Sequence, residues 1–171
     1  MGISFIKSDT RSVDALISGL ARDEIRFYFS HGHWSMHDLF TALIHKIGPA
    51  NVYLSTFSLS EVAIRSLYNA SKDGLILKLE CLVDIRVKRH KMGLLNFAGH
   101  LVDQITLANC HAKILILENE DWKVAVVASN NFTVNVRYES GSIITIPDIV
   151  ESYKQCLLEA IASGIPYKIY S

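Results

Sequence analysis

The chain has 171 residues, enough for one domain with a substantial core; half of them are hydrophobic and a fifth are charged, which excludes a disordered tail. Its 17 Lys and Arg balance 17 Asp and Glu. A net charge of zero excludes a protein that coats nucleic acid by bulk positive charge, while leaving room for a local basic patch.

In chain order, Ile25–Phe29 alternates as a strand does. Ser35 is placed as an N-cap, and Met36, Leu39, Phe40, Leu43, Ile44 and Ile47 follow at three- and four-residue spacing, which predicts an amphipathic helix ended by Gly48-Pro49. Asn51–Phe57 reads as a strand, and Ser60 opens a second helix to about Ser71, stopped near Gly74. Leu75–Val83 is apolar on both faces, as expected of a central strand covered by helices. A charged stretch, Asp84 to Lys91, is followed by a short helix to about Val102 and a strand from Gln104. His111–Leu117 and Trp122–Ala128 flank the polar turn Glu118–Asp121 and predict a hairpin. Ser142–Ile146 adds a strand, and Pro147 opens a terminal helix, Asp148–Ala162, with Gly164 past its end. Its apolar stripe (Ile149, Tyr153, Cys156, Leu157, Ala160 and Ile161) is expected in the core. Strands alternating with helices, then a hairpin, predict a single α/β domain over residues 1–171, a mixed sheet with helices on both faces.

Cys81, Cys110 and Cys156 have no CxxC spacing and read as small buried hydrophobes in a reducing compartment. The N-terminal residues lack the apolar core of a signal peptide, and Ile6 breaks the myristoylation pattern. No apolar run approaches the roughly 18 residues of a membrane span. A cytoplasmic protein with no membrane partner is expected.

The chemistry-bearing window is Cys110–Ile146. Side chains two apart on a strand share a face, so His111 and Lys113 project together while Ala112, Ile114 and Ile116 pack behind. If the hairpin pairs antiparallel, the loop Ser129-Asn130-Asn131 returns to the start of the His111 strand. Imidazole, ammonium, hydroxyl and amide then converge, which is what a phosphodiester transition state requires. Taken singly, each residue has an ordinary reading: a structural His, a solvated Lys, a turn Asn pair.

The window resembles the H-x-K…N signature of the phospholipase D superfamily. His111-Ala112-Lys113 matches H-x-K; Ala128-Ser129-Asn130-Asn131-Phe132-Thr133 resembles G-S-x-N-[LF]-[ST]; Asn135-Val136-Arg137-Tyr138-Glu139 resembles the N-x-R-x-E stretch that follows in some members. The match covers about thirty residues. The resemblance implies a phosphodiesterase, needing no metal or other cofactor, that forms a phosphohistidine. His111 would act as nucleophile or general acid, Lys113 and Asn131 would hold the phosphoryl oxygens with help from Ser129, and Glu139 would orient the imidazole. The family usually carries Asp five residues after the Lys. Glu118 stands there instead, Asp121 lies nearby, the hairpin is about three residues longer, and Ala128 replaces a common Gly.

Such a mechanism needs two histidines, and the chain has one H-x-K element, since His31-Gly32-His33 and His90-Lys91 do not fit it. A homodimer with His111 of each copy across a twofold axis supplies the second, as in the small single-motif members, which include nucleases. Arg86, Lys88, Arg89, His90 and Lys91 form a basic cluster, either a solvated loop or a rim for phosphates that flank the scissile one. With no membrane feature, that cluster favours nucleic acid as substrate. Rival readings are a catalytically silent module that recognises DNA or RNA ends, a phosphatidyltransferase, and a recruiting domain of a larger system. His31, His33 and His37 around Trp34 read as polar histidines of a loop or helix start, with a transition-metal site as the lesser alternative.

Overall fold

The computed structural model describes residues 1–8, 12–134 and 136–168. In chain order the elements are β1 (Gly2–Ser8), α1 (Asp14–Ile17), β2 (Glu24–Ser30), α2 (Met36–Ile47), β3 (Ala50–Thr56), α3 (Glu61–Lys72), β4 (Ile76–Asp84) and α4 (Arg86–His90). There follow α5 (Met92–Gly99), β5 (Gln104–Ala108), β6 (Ile114–Glu118), β7 (Lys123–Ala128), β8 (Glu139–Ile144), α6 (Pro147–Ser163) and β9 (Ile165–Pro166).

Among the described residues one sheet runs in the order β1-β2-β8-β7-β6-β3-β4-β5-β9. β3, β4 and β5 pair in parallel, as do β1 and β2, and the antiparallel run β8-β7-β6 joins the two parallel parts. The sheet is therefore mixed, and helices cover both faces. On one face Leu16 of α1, Leu39 and Phe40 of α2, Ile64 of α3, Val87 of α4 and Leu95 of α5 pack over Val52, Leu54, Leu115, Leu117, Val124 and Val126. On the other, Val150, Leu157 and Ile161 of α6 pack over Tyr53, Leu82, Ile116, Ala125 and Ile144. Alternation along β6 and β7 thus feeds two cores, as the period of a strand requires.

Helix signals fall where local chemistry places them. Ser35 precedes α2 in a capping box, its N–H donating to the Asp38 carboxylate at 2.7 Å, and the Ser60 hydroxyl accepts from the N–H of Ala63 at 3.3 Å. Several expectations need correction. The stretch Asp84 to Lys91 is not a loop: Val87 is buried and anchors a short helix, α4. β6 begins at Ile114, so His111 to Lys113 form its extended lead-in. β4 lies nearer one edge of the sheet, and its first residues Leu77 and Lys78 are exposed while Leu79 to Asp84 are buried. Cys81 and Cys110 are buried, but Cys156 is on the exposed side of α6. β1, α1 and β9 were not anticipated, being an edge strand with exposed Ile3 and Phe5, a single turn, and a two-residue pairing.

α6 lies mainly across β3, β4, β5, β6 and β7. At the β1–β2 end of the same face Ile3 and Phe5 stand beside Ile25 and Phe27 in register. Ile3, Phe5, Phe27 and Phe29 are 68%, 67%, 44% and 38% exposed. These four side chains form an exposed apolar patch on that face.

Candidate active site

The hairpin closes as expected. Ile114 pairs with Val127 and Glu118 with Lys123, and the N–H of Ala128 donates to the carbonyl of Lys113 at 3.1 Å. The loop that begins at Ser129 therefore meets the segment that carries His111. Strand β3 pins both from one side: Ile114 N–H donates to Ser55 Oγ at 3.1 Å, and Phe132 N–H donates to Thr56 Oγ1 at 3.0 Å. From the other side Cys110 N–H donates to the buried carboxylate of Asp84 at 3.1 Å.

These anchors leave the His111 ring exposed at the mouth of the site and Lys113 buried behind it. Lys113 Nζ donates to the carbonyl oxygen of His111 at 2.7 Å and lies 3.1 Å from both ring nitrogens. Burial pushes the Lys113 ammonium below the ordinary lysine value, against the opposing pull of Cys110 and Glu139. A partly desolvated cation held on the imidazole is suited to attract a phosphoryl oxygen delivered to the same point.

Ser129 and Glu139 are also brought together. The Ser129 hydroxyl donates to the Glu139 carboxylate and accepts from Ser140 N–H at 3.0 Å, while Ser129 N–H donates to the Ser140 carbonyl at 2.9 Å. Beneath them burial pushes the Tyr28 hydroxyl up, reinforced by the negative Glu139, and that hydroxyl donates to Asn130 Oδ1 at 3.4 Å. Gly141 makes room for it, because a Cβ there would fall 2.5 Å from the Tyr28 oxygen. Asn131 continues the same loop, with its Oδ1 buried and unpartnered and no hydrogen bond to His111 or Lys113 among the described residues. Asn135 of the third motif lies outside the described residues.

Chains with this arrangement of sheet and helices are known. No protein-family model matches the sequence, and no curated protein matches it. Solved structures do. Nuc from Salmonella typhimurium, a phospholipase D family member, superposes with a TM-score of 0.60 at 16% identity, over 84% of this chain and 97% of its own. NucT from Helicobacter pylori gives 0.63 at 15% identity, over 84% and 100%. The chain has the phospholipase D fold. TrmBL2, an archaeal chromatin protein with a novel mode of DNA binding, gives 0.55 at 15% identity, over 88% of this chain and 55% of its own.

Within this phospholipase D fold the remaining candidates are dispersed. Glu118 sits at the far end of β6 from His111 and binds Lys154 at 2.7 Å and Lys123 at 3.5 Å, so it ties the hairpin to α6. Asp121 meets Arg22 at 3.5 Å on the surface. Of the basic cluster, Arg86, Lys88, Arg89 and His90 are exposed and Lys91 is half-buried, but Arg86 and Lys91 have partners within the fold. Arg86 donates to both oxygens of Asp84, at 2.7 and 3.0 Å, and Lys91 donates to Ser58 Oγ at 3.0 Å and to the Leu59 carbonyl at 2.7 Å. The His31 and His33 rings stack 6.5 Å apart, and His31 meets Tyr138 at 5.0 Å. His37 is buried against Phe132, which lowers its pKa against the opposing pull of Asp38. Among the described residues no three His, Cys, Asp or Glu side chains are placed to hold a metal ion, and no helix is long and apolar enough to cross a membrane.

Sequence reasoning missed two groups that shape the site. Asp84 holds both Arg86 and the chain just before His111. Phe57 stands with its ring centre 5.2 Å from that of His111, 4.5 Å from Arg86 Cζ and 5.9 Å from Lys113 Nζ. Asp84 ends β4 and Phe57 follows the end of β3, the neighbour of β6, and strand ends were the available signal.

Proposed function

We propose that this protein is a phosphodiesterase of the phospholipase D type acting on nucleic acid, as a homodimer whose two His111 side chains face one phosphate. The observation that carries this reading is Lys113 held against both the ring and the carbonyl of His111, where the Ser129–Asn131 loop returns to it. The likeness of the fold to Nuc and NucT supports it.

In the reaction, a ring nitrogen of one His111 attacks phosphorus and forms a P–N bond as the P–O bond to the leaving group breaks. The partner's His111 gives its proton to the departing oxygen. It then takes a proton from water, whose oxygen attacks phosphorus and releases the first histidine. Lys113 offsets the charge of the phosphoryl oxygens in both steps, and the Asn131 amide N–H donates to them. Ser129 holds Glu139 at the rim, where its charge reaches Lys113. No step draws on a metal ion.

The uncovered face of Ile3, Phe5, Phe27 and Phe29 supports the homodimer. It borders Ser129 and Ser140 through a shared groove, so a second copy seated there is held against the incomplete site. Phe27→Asp is expected to give a monomer in sedimentation at micromolar concentration and to abolish hydrolysis; a fully active monomer would remove the two-histidine scheme. Hydrolysis itself is tested with plasmid, single-stranded DNA, RNA and bis-p-nitrophenyl phosphate in the presence of a chelator. Chelator-resistant cleavage that disappears in His111→Ala is expected. A folded dimer that cuts none of them sinks the enzymatic reading. It would leave instead a silent nucleic-acid-binding module, which the likeness to TrmBL2 favours.

A further inference from the structure

The geometry points to a nucleobase subsite beside the catalytic histidine, so that the substrate is a single-stranded or unpaired nucleotide and not an intact duplex. The inference rests on the phosphodiesterase reading above and adds the substrate's form. A cavity of about 260 Å³ is lined by Phe57, Ser58, Arg86, Val87, His90 and Lys91. Its wall is apolar, from Phe57 and Val87, and its rim is made of hydrogen-bond donors. That combination suits a flat heterocycle with polar edges better than it suits a phosphate, which would need the cations unencumbered.

The cations here are fixed in place. Asp84, fully buried, grips two nitrogens of Arg86 and leaves the rest of the half-exposed guanidinium to the cavity. The Arg86 guanidinium carbon lies 4.5 Å from the centre of the Phe57 ring, an arrangement that a base can extend by stacking. Lys91 is tied to Ser58 and Leu59, so its ammonium is held by the fold and not offered to a phosphate. Phe57 links the cavity to the chemistry, its ring 5.2 Å from His111. A phosphate at His111 therefore places the base of an adjoining nucleotide at this opening.

Charge agrees with that assignment. A chain with 17 basic and 17 acidic residues, with Arg86 paired to Asp84 and Lys91 bound to Ser58 and Leu59, gains little from counterion release. Stacking of bases on aromatic and guanidinium groups is the remaining source of affinity, and it acts on any sequence. A base paired inside a duplex cannot reach the cavity without leaving its stack.

The test compares a thymidine dinucleotide with its two analogues that lack one base, for the unaltered protein, Phe57→Leu and His90→Ala. Removing a base is expected to lower kcat/KM about tenfold in the unaltered protein. In Phe57→Leu that penalty should shrink to about twofold, and His90→Ala, altering an exposed rim residue, should reduce it less while folding normally. Base-free analogues cut as fast as the parent overturn the subsite, as does a penalty unchanged in both variants. If no ester is hydrolysed at all, the phosphodiesterase reading fails separately, and binding of a labelled oligothymidine against a duplex of equal length decides the subsite. A single-strand preference lost in Phe57→Leu sustains it; equal affinities reject it.

Discussion

The two ends of strand β6 carry similar residues and use them oppositely. At the Glu118 end, Lys123 and Lys154 meet Glu118 and Glu151 at 2.7 to 3.5 Å. The hydrogen bond to Glu151 raises Lys123 above the ordinary lysine value. For Lys154 burial pulls down, but bonds to Glu118 and Glu151 outweigh it. At the His111 end the cation is Lys113, lowered by burial and hydrogen-bonded to a carbonyl and an imidazole instead of a carboxylate. A network that satisfies its own charges builds structure. The buried cation at the other end is set against an imidazole and a carbonyl, with no carboxylate hydrogen-bonded to it among the described residues.

That contrast can be broken in four ways, from the largest effect down. His111→Ala is expected to lower hydrolysis of a phosphodiester by about a thousandfold or more, since it removes nucleophile and proton carrier together; initial rates in chelator measure it. Lys113→Met should cost about a hundredfold in kcat, the scale of one lost charge-stabilising group. Fold retention in that variant, read by circular dichroism, would separate chemistry from support.

Asp84→Asn should destabilise the protein by about 1–3 kcal/mol, because buried partners of the carboxylate lose a strong acceptor. Arg86 beside it holds the Asp84 carboxyl below the usual range, burial opposing. Its contribution is therefore complete above the unfolded value of about 3.9 and disappears as pH falls through the folded value. Denaturant midpoints of the two proteins should converge below about pH 4. Last, Glu118→Gln should change stability by no more than about 1 kcal/mol, as partly exposed ion pairs do, and leave hydrolysis untouched. A large loss of activity there would mean that Glu118 serves the site after all.

Much of this was legible in the sequence, for stated reasons. Three- and four-residue spacing and the caps Ser35 and Ser60 located α2 and α3, and alternation located β6 and β7 and so the hairpin register that returns Ser129 to His111. The acidic residue of the motif was harder. Spacing alone put Glu118 where the family usually carries Asp, whereas its pairing with Lys154 depends on where α6 lands across the sheet. Arg86 and Lys91 looked like solvent-facing charge because their partners, Asp84, Ser58 and Leu59, are set by tertiary packing. Phe57 read as the last apolar residue of a strand; only the sheet order brings it beside His111. β1 escaped because its exposed Ile3 and Phe5 alternate against no core of their own.

The hydrogen bonds that assemble the site reach far along the chain. Tyr28 to Asn130 spans 102 positions, Phe132 to Thr56 spans 76, and Ile114 to Ser55 spans 59. Closing loops of that length comes after local helices form. In a refolding experiment helical signal should return first and cleavage last, and neither half of the chain made alone should cut. The site is assembled only when the last strands are in place, so an incompletely folded copy lacks it.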